Sequence, residues 1–321
     1  MEYRPLGKTG ISVSAVAFGA WPIAGVTSLD VNERDSLATL EACFDAGVNF
    51  LDTAYCYGRD GESERLIGRA VRGRRDRTVI ATKGGIHWGP DGKQARDASA
   101  ATLRRQCEES LRRLDTDFVD LLYLHAPDPD VPLTESAAAL RQLLDEGKTR
   151  SVGASNFTVP QLREFAEVCP LAACQPHYNM LQREIEADLL PWCRQAGVAV
   201  CVYWPLMKGL LAGKLPRDYQ FQPGDGRAKY PMFHGEEWRK NHDLLDLLRP
   251  IAAECGRTLP QLVINWTIHR PGVTAALCGG KRPAQLLENA GGTGWRLSDE
   301  QLRRIDAALA ARGTPVSRGA V

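Results

Sequence analysis

A chain of 321 residues suits one large domain or two ordinary ones, and 44% apolar with 25% charged residues are globular values that permit a sizeable core. A formal net charge of +1 gives no electrostatic basis for binding nucleic acid or an anionic membrane. No apolar run is long enough for a secretory signal or a bilayer span, so a cytoplasmic location is expected.

The first element reads as a β-hairpin, with Tyr3-Arg4-Pro5-Leu6-Gly7 facing Ile11-Ser12-Val13-Ser14 across Lys8-Thr9-Gly10. Eight short strands follow, at 15–19, 48–53, 78–83, 118–125, 149–154, 172–177, 198–204 and 273–279. Each is rich in β-branched or other apolar residues, as strands covered on both faces should be. Amphipathic helical segments separate them. The first is expected over about 31–46, with Asp30 and Glu33 at its cap, Leu37, Leu40 and Phe44 on one face, and Gly47 as its stop. Leu133, Ala137, Leu140 and Leu144 mark another, stopped by Gly147. Residues 206–238 are weakly periodic and rich in Gly, Pro and Arg, which reads as a long functional or mobile loop. Ser298 and Gln301 form a capping-box pattern ahead of Leu302, Ile305 and Leu309, so a last helix is expected, with a frayed tail after Arg312.

Eight β/α alternations in this length point to an α/β fold, a (β/α)8 TIM barrel with an N-terminal hairpin and an extra C-terminal helix. Residues 1–321 then form one domain. An open doubly wound sheet is the main alternative, but it usually carries GxGxxG directly after its first strand. Here the first strand runs into Gly19-Ala20-Trp21-Pro22. The nine cysteines are odd in number and form no CxxC pair, and several sit in apolar runs such as Val200-Cys201-Val202. They read as buried thiols in a reducing compartment.

In a barrel the chemistry gathers at the C-terminal ends of the strands. Asp52 closes Asn49-Phe50-Leu51-Asp52, Lys83 ends the third strand, His125 ends the fourth, and Tyr57 follows Asp52 by five residues. A phenol near its reference pKa of ~10 is a poor acid at neutral pH, and an adjacent ammonium favours phenolate and makes a better proton donor. A carboxylate keeps that ammonium charged, and a histidine can orient a substrate oxygen. Together the four would protonate a carbonyl oxygen while hydride arrives at carbon. Each residue also has a plainer reading. Lys83 with Asp52 fits a structural ion pair, and His125 fits a satisfied, partly buried histidine.

Asp52-Thr53-Ala54-Tyr55-Cys56-Tyr57-Gly58 resembles the D-x-A-x-x-Y-G segment of the aldo-keto reductases. Leu111-Arg112-Arg113-Leu114 leading into Asp120-Leu121, Gly153-Ala154-Ser155-Asn156-Phe157, Gln175 with Tyr178-Asn179, and Pro205-Leu206 match in order and spacing. The likeness covers essentially the whole chain, and Gln175-Pro176-His177-Tyr178-Asn179-Met180-Leu181 is similar to the bacterial, stress-related branch. The resemblance implies Tyr57 as general acid, Lys83 and Asp52 as its pKa-setting partners, and His125 as the substrate-orienting residue. It also implies that Ser155, Asn156 and Gln175 hold a nicotinamide carboxamide and that Tyr203 stacks on the ring, with Pro205 and Leu206 also on the cofactor. Gly280, Lys281, Arg282, Gln285, Glu288 and Asn289 look like the family's adenosine-phosphate segment. Lys281 or Arg282 would neutralise a 2′-phosphate, favouring NADPH over NADH. A solvated helix start is the plainer reading of that basic pair.

Two features depart from the family or stand beside it. Trp204 replaces the usual small polar residue after Tyr203, so other groups must contact the pyrophosphate. Trp21 and Trp88 either wall an aromatic substrate pocket or pack on the surface. Cys56 lies inside the motif, where packing is its ordinary role and redox sensitivity the alternative. The leading expectation is an NADPH-dependent reductase of a small-molecule aldehyde or ketone, monomer and homo-oligomer both being open. A nicotinamide-binding, redox-sensing regulatory subunit is the alternative from another class. A Schiff-base role for Lys83 fits poorly, because such a lysine works best beside a cation or desolvated, not beside a carboxylate.

Overall fold

In the computed structural model, residues 1–26 and 28–316 are described, and within them eight parallel strands close into a barrel. The chain begins with the expected antiparallel hairpin of β1 (Tyr3–Pro5) and β2 (Ser12–Ser14). The barrel then takes β3 (Val16–Gly19), β4 (Phe50–Asp52) and β5 (Val79–Gly84). A second hairpin of β6 (Ile86–Trp88) and β7 (Gln94–Arg96) intervenes before β8 (Leu121–Leu124). The barrel continues with β9 (Val152–Ser155), β10 (Ala173–Gln175), β11 (Ala199–Tyr203) and β12 (Ala275–Cys278), and β12 pairs back onto β3 through Ala276 and Val16. This is a (β/α)8 barrel, as the alternation of apolar runs implied.

The helices alternate with the strands. They are α1 (Glu33–Asp45), α2 (Glu62–Ala70), α3 (Ala100–Leu114), α4 (Leu133–Asp145), α5 (Val159–Val168) and α6 (Leu189–Ala196). After β11 come α7 (Gly235–Glu254) and α8 (Leu259–Ile268), and after β12 come α9 (Pro283–Ala290) and α10 (Asp299–Arg312). Ser298 and Gln301 make the expected capping box on α10. No helix among the described residues is long and apolar enough to cross a membrane.

The period-two alternation of a strand sorts the barrel residues into two cores. Leu51, Ile80, Leu122, Ala154, Cys174, Val200 and Ala276 face outward and pack under the helices. Phe50, Val79, Ala81, Leu121, Tyr123, Ala173, Ala199, Cys201 and Ala275 face inward, and Leu6, Ile11 and Val13 of the first hairpin join them, closing the N-terminal mouth. Carrying the inward rows one step further along each strand leads to Asp52, Lys83, Ser155, Gln175 and Tyr203. The polar layer at the C-terminal mouth is therefore a consequence of strand register. Gly153 makes room inside, because a Cβ there would lie 2.5 Å from the Tyr123 ring.

Several expectations are corrected. Helix α1 starts at Glu33, not at 31, and is capped by Asn32, whose side chain accepts from the Asp35 amide. Asp30 instead takes a left-handed backbone, with φ 56°. The supposed loop 206–238 contains 3-10 turns at Met207–Gly209 and Pro231–Phe233 and the start of α7 at Gly235. Its aromatic residues hold it down, with Phe221 edge-on to Phe233 at 5.5 Å. The tail after Arg312 is docked as far as it is described, since the Val316 amide donates to Glu237 at 3.0 Å. Residues 317–321 of that tail lie outside the described residues.

Candidate active site

Asp52, Lys83 and His125 arrive from β4, β5 and the first residue after β8, three neighbouring strands of the barrel. Lys83 is fully buried, and its ammonium donates to Asp52 Oδ1 at 2.5 Å and to the Thr53 carbonyl at 2.7 Å. The other Asp52 oxygen accepts from Gln175 Nε2 at 2.8 Å. Tyr57 sits in the loop after β4, its amide bonded to the Ala54 carbonyl at 2.9 Å. Its ring centroid lies 4.9 Å from Lys83 Nζ, with the His125 ring edge-on at 6.0 Å and Trp21 edge-on at 5.0 Å. Gly58 must be glycine, since its φ is 102° and a Cβ there would fall 1.9 Å from Glu62 Oε2.

The electrostatics differ from the sequence expectation in one respect. The Lys83 ammonium is committed to Asp52 and Thr53. Burial, followed by the Asp52 carboxylate, pushes the Tyr57 phenol well above its ordinary range. The net effect of burial and Asp52 holds the phenol protonated. Burial, followed by Lys83 and Arg96, holds His125 well below the ordinary histidine range, so its imidazole is neutral. Burial also raises Asp52, opposed by the Lys83 charge and by Gln175. The Cys56 thiol is 3.6 Å from His125 Nδ1, and burial pushes it up to about 12, which disfavours the reactive thiolate. All nine cysteines are free thiols.

The residues matched to a carboxamide site form one connected network. Ser155 Oγ donates to the Gln175 carbonyl at 2.9 Å, and Asn156 Nδ2 donates to Ser155 Oγ at 3.1 Å and to the His125 carbonyl at 3.0 Å. Tyr203 donates its phenol to Asn156 Oδ1 at 2.6 Å. Asn156 and Trp204 both adopt left-handed backbone, φ 64° and 60°. Such strain in non-glycine residues concentrates at functional sites. Pro205 and Leu206 follow, Leu206 accepting from the amides of Gly209 and Leu211. Trp204 packs edge-on against Tyr230 at 5.3 Å, with Lys208 Nζ 4.5 Å from its ring.

Trp21 and Trp88 both reach the Tyr57 loop. Trp88 Nε1 donates to the carbonyls of Cys56 at 3.0 Å and Gly58 at 2.8 Å. Farther round the mouth, Lys281 Nζ donates to the Leu29 carbonyl at 2.7 Å and Arg282 to the Asp30 carbonyl at 2.9 Å. Arg282 is also paired with Asp35 at 3.2 Å. Both cations thus have partners at the start of α9, while the Arg282 side chain stays 39% exposed. Gln285, Glu288 and Asn289 of the expected adenosine segment are engaged in bonds within the protein. Gln285 accepts from the Lys281 and Arg282 amides at the start of α9, Glu288 pairs with Lys214, and Asn289 donates to the Gly279 carbonyl at 3.2 Å. Gly280 is buried beside them.

Residues 15–310 match the model of the Aldo/keto reductase family. The chain belongs to this family. It is 33% identical over 314 residues to the NADH-specific methylglyoxal reductase of Escherichia coli, covering 93% of this chain and 95% of that protein. It is 36% identical over 309 residues to a probable voltage-gated potassium channel subunit beta of Arabidopsis thaliana, covering 90% of each. The solved structure of the glycerol dehydrogenase AKR11B4 from Gluconobacter oxydans superposes with a TM-score of 0.89 at 34% identity, over 97% of this chain and 96% of that one.

For an oxidoreductase of this family the donor set at the mouth suits a nicotinamide dinucleotide. Amide and hydroxyl groups on Ser155, Asn156 and Gln175 stand beside the Tyr203 ring, and a basic pair stands at the start of α9. Two participants escaped the sequence reading. The Thr53 carbonyl fixes Lys83, and Tyr123 lies in the barrel interior with its ring 5.9 Å from Lys83 Nζ. The signal for Tyr123 was available: it stands two residues before His125, on the same inward row of its strand.

Proposed function

We propose that this oxidoreductase reduces aldehydes or ketones with NADPH, with Tyr57 as proton donor. The observation that carries the reading is the convergence of Tyr57, Lys83, Asp52 and His125 at one barrel mouth, beside the Ser155–Asn156–Gln175 network. When bound, the reduced nicotinamide supplies hydride to the carbonyl carbon. Tyr57 gives its proton to the carbonyl oxygen as negative charge develops there, and the oxygen leaves as an alcohol. The tyrosinate left behind is stabilised by the Lys83 ammonium, 4.9 Å from the ring centroid, an interaction far stronger for the anion than for the phenol. Neutral His125 orients the carbonyl oxygen, and Asp52 keeps the ammonium in place.

Ser155, Asn156 and Gln175 would hold the carboxamide, Tyr203 would lie against the nicotinamide ring, and Pro205 and Leu206 would continue that wall. Lys281 and Arg282 favour a 2′-phosphate and hence NADPH, whereas one relative is named as NADH-specific. Gly280, Gln285, Glu288 and Asn289 would surround the adenosine after rearranging their present bonds. Trp21 and Trp88 would line the substrate side. The chain would act as one domain, in the cytoplasm, where free thiols such as these persist.

The test is NADPH oxidation, followed by absorbance, with a broad panel of aldehydes and ketones. Turnover is expected. Tight NADPH binding without turnover across the panel would instead favour a redox-sensing subunit, a reading supported by the plant relative named as a channel subunit.

A further inference from the structure

Tyr57 can transfer a proton only if its hydroxyl is held where the carbonyl oxygen arrives, and a 1 Å misplacement can cost about 10²-fold in rate. The residue sits in a loop, between β4 and α2, so its aim depends on how that loop's backbone is tied. Its own amide bonds to Ala54, and its own carbonyl accepts from the Ser63 amide at 3.3 Å. The peptides on either side are tied from elsewhere. A single indole N–H, that of Trp88, reaches both the Cys56 carbonyl at 3.0 Å and the Gly58 carbonyl at 2.8 Å. One donor thus bridges the two residues flanking Tyr57.

Trp88 is carried by the same stretch of chain as Lys83. Strand β5 runs through Lys83 to Gly84, Gly85 turns with φ 96°, and β6 ends at Trp88. The stretch 83–88 therefore grips Tyr57 twice, with an ammonium facing its ring and an N–H behind its backbone. The outer side of the indole is covered by the Arg59 guanidinium, 5.1 Å from the ring centroid. The partner strand β7 is anchored through Arg96, which donates to the Pro127 carbonyl at 3.3 Å.

We infer that Trp88 is a positioning residue for proton transfer: its indole N–H, shared between the carbonyls of Cys56 and Gly58, fixes the backbone that aims Tyr57. This rests on the reading of Tyr57 as proton donor and adds to it a role that needs the N–H, not the ring. An aromatic wall of the substrate pocket would need only the ring.

Trp88→Phe removes the donor and keeps an aromatic ring. The expected result is a kcat about tenfold lower, with KM for the carbonyl and calorimetric NADPH affinity within about twofold of the native values and a larger solvent isotope effect on kcat. Trp88→His, which restores a ring N–H, recovers part of kcat. Melting curves confirm that both variants are folded. An unchanged kcat and solvent isotope effect in Trp88→Phe overturns the inference, as does a loss carried wholly by KM. A Tyr57→Phe control separates the two levels. If it abolishes turnover while Trp88→Phe has no effect, only the role of Trp88 falls, and if it turns over normally, the proton-donor reading falls with it.

Discussion

Replacing Lys83 with Met removes the ammonium and leaves a buried carboxylate. Asp52 is 1% exposed and takes a 2.5 Å bond from Lys83. Removing one partner of such a pair costs about 3–5 kcal/mol, because the remaining charge is desolvated without compensation. For a chain of this size the melting temperature should fall on the order of 10 °C. The deficit also has a pH signature. With the opposing ammonium gone, burial holds the Asp52 carboxyl still farther above its unfolded value of ~3.9. A carboxyl raised in the folded state binds its proton more tightly there, so the penalty vanishes at low pH and grows as pH rises through the folded value. The gap between native and Lys83→Met melting curves should therefore narrow as pH is lowered from about 8 to about 5. Asp52→Asn with Lys83→Met removes the stranded charge, so it should recover most of the lost stability yet stay inactive. Thermal unfolding by circular dichroism, alongside single-turnover rates, reads both effects. A double variant as unstable as Lys83→Met, or one that turns over at the native rate, refutes this reasoning.

The remaining predictions concern titration, cofactor choice and packing. With the Tyr57 phenol held high and the His125 imidazole held low, kcat for reduction should be level from about pH 6 to about 9. An alkaline fall centred near neutrality would mean that the Lys83 ammonium outweighs burial and Asp52 at the phenol. The His125 shift also costs stability as pH falls through ~6.5, because there the unfolded chain accepts a proton that the folded one refuses. Asp35→Asn frees Arg282 from its 3.2 Å ion pair and should raise NADPH affinity a few-fold over NADH, an effect that fades in high salt; an unchanged ratio by calorimetry contradicts it. Gly153→Ala drives a Cβ to 2.5 Å from the Tyr123 ring and should cost about 1–3 kcal/mol, so an unchanged denaturant midpoint would show that the barrel interior yields more easily than its packing implies.

The barrel was legible because its strands are buried on both faces and read as unbroken apolar runs. All eight fall within or next to their expected ranges. Their ends were overestimated where the chain is extended but pairs only once, as at the bridges Val119–Thr149 and His177–Tyr203. The β6–β7 hairpin was missed because its strands are only 3 residues each and partly or wholly exposed, too short for their alternation to stand out. The start of α7 was missed because His234 supplies no side-chain cap, so no capping residue marks it. Asp52, Lys83 and His125 could be placed from strand ends alone, since they continue inward-facing rows, whereas Tyr57 lies in the loop beyond β4. The pairing of Lys83 with Asp52 was expected too, but the second bond of the ammonium, to the Thr53 carbonyl, was not, because a backbone acceptor leaves no mark in the sequence. Likewise the contacts of Lys281 and Arg282 with Leu29, Asp30 and Asp35 join segments about 250 positions apart in the chain, beyond the reach of local pattern.

The most direct measurement is hydride transfer in Tyr57→Phe under single-turnover conditions with saturating NADPH. The account predicts cofactor affinity within about twofold of native and a chemical step slowed by about 10²–10⁴. A native rate, or NADPH binding lost together with turnover, would contradict the assignment of Tyr57 as the group that delivers the proton.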